Sequence, residues 1–185
     1  MALCDAIIGV PKVCDDNNLG GAKKFIIGEF DDVTDYQVAA TSDPDTDGEI
    51  SAITRESGTK FEEFIVKKDT SSFSENLVVD LVADSHSYNQ TATIGLRRFS
   101  LRKRNALSLL ATSRRNLVVI IEDNNGDYWA QGFTQGSRLS TEEGTSNTER
   151  GAGQAINFTL NSENETEKMY RVDPTIVADL LTAAA

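Results

Sequence analysis

The run Leu117-Val118-Val119-Ile120-Ile121 constrains the fold of this chain more than any other stretch. β-Branched side chains lose rotamer freedom in a helix and pack well on a pleated surface, so the run is expected as a buried strand. It leads into Glu122-Asp123-Asn124-Asn125-Gly126-Asp127, and Asn-Gly accepts the positive φ angles that a tight hairpin turn demands. Tyr128-Trp129-Ala130-Gln131-Gly132-Phe133 then reads as the returning antiparallel strand. A hairpin of this kind organises a chain around strand pairing.

The rest of the sequence agrees. Strands are expected at Lys24–Phe30, from Tyr36, at Glu49–Thr54, at Ser74–Asp84, at Thr91–Leu96 and at Ala155–Leu160, where Ile156, Phe158 and Leu160 share one face. Lys60–Lys67 is strand-like, with Phe61 and Phe64 out of period-two phase, so a bulge or a helical turn is expected there. The helical period appears clearly once. Leu101, Ala106, Leu107, Leu110 and Ala111 can share a face, Ser100 is the expected N-cap, and Arg114 and Arg115 are expected in the last turn. Thr141–Gly153 reads as a polar loop, and Thr175–Leu181 as a short helix begun by Pro174. The fold class predicted is mainly β, a β-sandwich or half-barrel with one flanking α-helix placed before the last three strands. With 185 residues, one domain is expected, large enough to fold without metal or disulfide.

Charge is unevenly spread. Lys and Arg total 18 against 29 Asp and Glu, a net charge of −11. Most of such a surface repels nucleic acid. Yet Arg97, Arg98, Arg102, Lys103, Arg104, Arg114 and Arg115 fall in one stretch that contains no acid. A basic segment on an acidic body suits a subunit–subunit contact, and these residues are the candidate assembly interface. No apolar run approaches the ~20 residues of a membrane span. Met1-Ala2-Leu3-Cys4-Asp5 lacks the basic start of a secretory signal, so a soluble intracellular product or a particle component is expected.

Catalytic chemistry finds little to work with. The lone His86, within Asp84-Ser85-His86-Ser87-Tyr88, reads as a solvated loop residue, and no serine sits in a nucleophile elbow. Gly20-Gly21 and Gly151-Ala152-Gly153 lack the setting of a phosphate loop. Cys4 and Cys14 are two thiols where a structural zinc wants four ligands. Asp43-Pro44-Asp45-Thr46-Asp47-Gly48-Glu49-Ile50 matches the first eight positions of a calcium loop. Thr54 stands where the bidentate Glu belongs, so Asp43, Asp45 and Asp47 make an incomplete metal site. Tyr128-Trp129 reads as packing beside the hairpin. No catalytic residue and no cofactor are predicted, and the chain is not expected to be an enzyme.

Taken in order, the pattern is Cys4, then Cys14-Asp15-Asp16-Asn17-Asn18-Leu19-Gly20-Gly21, a strand, and Asp31-Asp32-Val33-Thr34. An extended β region follows, then a helix after Phe99-Ser100-Leu101, the Val118–Gly126 hairpin, Gly132-Phe133-Thr134-Gln135-Gly136 and a C-terminal strand. This layout resembles the tail-tube proteins of tailed bacteriophages. The resemblance implies a structural virion protein, assembled in the host cytoplasm, whose copies close into hexameric rings. The rings share an inner β-barrel and stack into a hollow tail tube that conducts DNA without binding it specifically. Partners would be further copies and other tail proteins, with no membrane. A loop at 40–60 and arms at 1–21 and 174–185 would bridge successive rings, and the helix would occupy 100–115. On this reading acids dominate the channel wall and the basic stretch lies between subunits. A tail terminator, head–tail connector or baseplate component would share the pattern. A calcium-binding β module and an enzyme are the readings from other classes.

Overall fold

The computed structural model describes residues 19–40, 48–66, 70–82, 84–98, 100–145 and 154–184. Cys4, Cys14 and the acids Asp43, Asp45 and Asp47 lie outside them, as do residues 1–18 of the expected N-terminal arm. The chain runs through β1 (Ala22–Glu29), one turn of 3-10 helix at Phe30–Asp32, β2 (Val33–Val38), β3 (Ile50–Arg55), β4 (Glu62–Ile65), β5 (Ser72–Asp80) and β6 (Ser85–Arg97). It continues through α1 (Leu101–Ser113), β7 (Leu117–Asp123), β8 (Tyr128–Gln131), β9 (Arg138–Thr145), β10 (Ala155–Glu165), β11 (Tyr170–Val172) and α2 (Pro174–Leu180).

These strands form two sheets, one of seven in the order β2-β3-β11-β8-β7-β1-β4 and one of four in the order β5-β6-β10-β9. The protein is therefore mainly β, with two sheets and two helices. The predicted strand Leu117–Ile121 is the axis of the molecule: every residue of β7 is buried. Period-two alternation sends Val119 and Ile121 into the core shared with the four-stranded sheet, where they meet Ile94, Ile156, Phe158 and Leu160. Val118 and Ile120 go the other way, toward Phe61, Val172 and the α2 residues Val177 and Leu180. The sandwich thus has a third layer behind its larger sheet.

That arrangement resolves the two phenylalanines out of phase. Phe61 precedes β4 and packs on the α2 side, whereas Phe64 packs on the other. Gly28 makes room for Phe61, because a Cβ on Gly28 would lie 2.2 Å from the ring. Between the sheets a polar lattice replaces apolar contact at one level. Gln131 donates to the Leu160 carbonyl at 3.1 Å, and Gln90 accepts from the Gly132 N–H at 3.1 Å. The buried Glu165 carboxylate accepts from the N–H groups of Thr134 and Gln135, and from the hydroxyls of Thr134 and Ser162. Pairing of this kind offsets the cost of burying polar groups, and Gln131 Oε1 alone in this lattice is buried without a hydrogen-bond partner among the described residues.

Several expectations need correction. The loop expected from Thr141 begins as strand β9, because its N-terminal half pairs with β10 from Arg138 to Thr145. Four residues of that stretch are Thr or Glu, and strand pairing rather than side-chain apolarity holds them. Among the described residues five strands, not three, follow α1. The segment expected as a C-terminal arm folds back as α2 onto its own domain, with Val177 and Leu180 buried. Within the expected extended loop at 40–60, Ile50–Arg55 is a strand paired antiparallel with β2.

Candidate functional site: helix ends and open sheet edges

Ser100 caps α1 as its sequence suggests, its hydroxyl accepting from the Lys103 N–H at 3.4 Å. The helix stops one residue before Arg114, which takes the left-handed conformation at φ 51° and serves as C-cap. Arg114 and Arg115 therefore follow the last turn instead of occupying it. The apolar face is narrower than expected. Leu107 is buried and Leu110 half-buried, but Leu101 is 76% exposed and Leu109 67%. Ala106 and Ala111 also face solvent.

This geometry divides the basic stretch. α1 has 13 residues, so its ends lie about 20 Å apart at roughly 1.5 Å per residue. Arg97, Arg98, Arg102 and Lys103 gather at the N-terminal end, and Arg114 and Arg115 at the other. Arg115 pairs with Glu29. Lys103 donates to the Arg97 carbonyl. Arg104 turns toward β9, lining a hollow with Ser108, Glu142 and Gly144. Among the described residues, Arg97, Arg98, Arg102 and Arg114 make no ion pair, and all four are exposed. Cations in the first turn oppose the helix dipole, and no acid is there to balance them. The local arrangement costs the helix stability, which is a common mark of a surface kept for contact.

The second feature is the four-stranded sheet. Its edges are β5, with nine residues, and β9, with eight, and neither contains Pro or Lys. β9 has a bulge between Leu139 and Thr141 and both edges carry acids, yet among the described residues no strand pairs with either, and long edges of this kind are templates for further pairing. All three pairings within this sheet are antiparallel, so β5 and β9 run in opposite directions. The edges of the larger sheet, β2 and β4, are shorter, at six and four residues. The face of the small sheet turned away from the core follows from register. Ser72, Thr93, Thr159 and Thr141 stand in one row, and Ser74, Thr91, Asn161 and Arg138 in the next. Hydroxyls and amides dominate this face. Sequence reading missed it because β9 was not recognised as a strand.

Elsewhere charge is neutralised within the chain. Glu122 at the end of β7 lies 2.6 Å from Lys23 and 3.1 Å from Lys24. Burial pushes its carboxyl up, but the hydrogen bonds from the two lysines outweigh burial and hold it below the usual range. Beside β2, burial together with the Glu29 and Glu56 carboxylates pushes Asp32 up. The lone His86 lies at the exposed start of β6, edge-on to Tyr88. No group of three or more metal-ligating side chains occurs among the described residues. No helix there is long and apolar enough to cross a membrane.

Comparison with known proteins adds no neighbour: no family model, curated protein or solved structure matches this chain.

Proposed function

We propose that this chain is a structural building unit that completes its small sheet with copies of itself, forming closed rings that stack into a hollow tube of the bacteriophage tail-tube kind. One observation carries the reading: among the described residues the four-stranded sheet ends in two long strands, β5 and β9, that pair with no further strand and run in opposite directions. Setting β5 of one copy beside β9 of the next continues the antiparallel ladder without a change of pattern. Such a contact joins two different patches and is therefore head-to-tail, the kind that closes rings. Closure also removes the edges, which a lone copy would leave open to aggregation.

With the small sheet innermost, the channel wall would be the hydroxyl and amide rows described above. By register Arg97, Arg138, Asp80 and Glu143 put two charges of each sign on this face and its other groups are uncharged, so ionic contacts to phosphate would be few and DNA would pass with little salt-dependent retention. This replaces the expected acidic wall with a nearly neutral one. Arg97, Arg98 and Arg102, exposed and without an ion pair among the described residues, supply a basic patch opposed to the acidic remainder of the surface.

Negative-stain microscopy of the purified protein, combined with amide hydrogen exchange, tests the proposal. Rings or tubes are expected, with amides of β5 and β9 becoming protected on assembly. Rings that never lengthen would favour a terminator or connector. A monomer that persists at high concentration, with both edges exchanging freely, would overturn the reading.

A further inference from the structure

The β5–β6 hairpin ends in a contiguous apolar tip. Leu77, Val78 and Val79 are about half exposed, Leu81 is 90% exposed and Val82 98%. Isolated exposed apolar residues are ordinary, but here Leu77 and Val79 share one face of β5, Val78 lies on the other, and Leu81 and Val82 follow at the turn, so apolar surface is concentrated at the end of the hairpin. The hairpin is also acidic. From Ser72 to Tyr88 the chain has Glu75, Asp80 and Asp84 and no Lys or Arg.

A receptor of matching character lies on the same molecule. Between α1 and β4 runs a groove of about 620 Å³, floored by Phe64, Leu96 and Leu107, with Ile65 75% exposed beside them. Arg102 and Lys103 form one rim and Glu62 and Glu63 the other. The two acids are already answered within the chain, Glu62 by Lys60 at 2.9 Å and Glu63 by Lys24 at 3.7 Å. Lys103 donates to the Arg97 carbonyl, whereas Arg102 makes no ion pair among the described residues, so Arg102 is the rim charge the groove presents to a newcomer.

Tip and groove cannot meet within one copy. They lie at opposite ends of β6, which has 13 residues and spans about 40 Å at roughly 3.3 Å per residue. We infer that the hairpin tip of one copy seats in the α1–β4 groove of a second copy displaced along the β6 direction, with Leu81 and Val82 on the apolar floor and the acids of the hairpin facing Arg102 and Lys103. This inference rests on the self-assembly reading and deepens it. Edge pairing joins copies side by side, whereas the tip-in-groove contact joins them end to end. Being head-to-tail and non-closing, it propagates.

The two contacts separate experimentally. The 185-residue chain is compared with Leu81→Asp/Val82→Asp and with Arg102→Glu by sedimentation and microscopy. All three substituted positions are exposed, so circular dichroism should give unchanged melting. Burying a carboxylate in an apolar seat should weaken the end-to-end contact on the order of a hundredfold, leaving rings and few tubes. A positive test places cysteines at Val82 and Ala106 after replacing Cys4 and Cys14 with Ser. Oxidation of assembled protein should yield a ladder of disulfide-linked chains. Tubes of undiminished length in the tip variant, or no ladder from assembled protein, would overturn the inference and leave ring formation standing. Unsubstituted rings that never stack would do the same. A persistent monomer would overturn both readings together.

Discussion

Arg55 donates from Nη1 to the carbonyl of Leu180 at 3.0 Å, joining positions 125 apart in the chain. The same guanidinium reaches the carbonyls of Thr59 at 3.1 Å, Thr182 at 3.1 Å and Asp179 at 2.9 Å. It therefore adds charged donors to the Asp179 and Leu180 carbonyls at the end of α2, which also accept from the N–H groups of Thr182 and Phe61. Its other face lies 5.8 Å from the centre of the Phe61 ring. One side chain thus fastens the C-terminal segment to the sheet. Arg55→Ala should cost about 2–3 kcal/mol from the charged hydrogen bonds and the ring contact together. Arg55→Lys should recover only part of that, because an ammonium cannot fan across four carbonyls. Chemical denaturation measures the loss, and limited proteolysis should cut the variant first near α2.

Glu122 sets an acid limit on stability. Its folded carboxyl titrates below the ordinary value of 4.5, so between those two values the unfolded chain binds more protons than the folded one. Its contribution is present in full above the ordinary value and is lost as pH falls through the folded one. Glu122→Gln should lower stability at neutral pH by about 1–3 kcal/mol, since it leaves Lys24 half-answered in a partly buried site. The variant should also show a flatter stability profile below pH ~4.5. Melting temperatures measured from about pH 3 to about pH 7 check both statements.

Gly28 and Gly20 make a matched pair of tests. Alanine at Gly28 drives a methyl to within 2.2 Å of the Phe61 ring, whereas at Gly20 nothing lies within 4 Å. Gly28→Ala should destabilise by about 1–3 kcal/mol, as overpacked cores do. Gly20→Ala should change stability by less than about 0.5 kcal/mol. Equal melting temperatures for the two variants would contradict the packing described between β1 and Phe61.

Arg97 and Arg98 separate folding from assembly. Both are exposed and make no ion pair among the described residues. The double variant Arg97→Glu/Arg98→Glu should leave thermal unfolding within about 0.5 kcal/mol of the parent. Self-association, measured by analytical ultracentrifugation, should weaken, and raising the salt concentration should reduce the difference by screening. Unchanged association at low salt would remove these residues from any interface.

Some elements are legible from side chains alone. β7, the Asn125-Gly126 turn, the alternating face of β10 and the Ser100 cap are all local signals, and they appear where local chemistry puts them. β9 and β11 are not legible in this way. Thr141, Glu142 and Glu143 carry no apolar period, and Tyr170–Val172 is three residues long. Both become strands because a neighbour supplies the ladder. The basic stretch is divided for a related reason: adjacency in sequence becomes separation along a helix, with Arg97 and Arg98 before α1 and Arg114 and Arg115 after it.

By itself, then, the sequence determined a mainly β protein with a buried central hairpin, one capped helix and a lopsided charge, because propensity, turn chemistry and charge reside in single residues or short runs. Tertiary structure alone decided which edges stay open, which face carries the hydroxyl rows and where the C-terminal helix docks. Those outcomes depend on strand order and register, which are set by contacts between residues far apart in the chain.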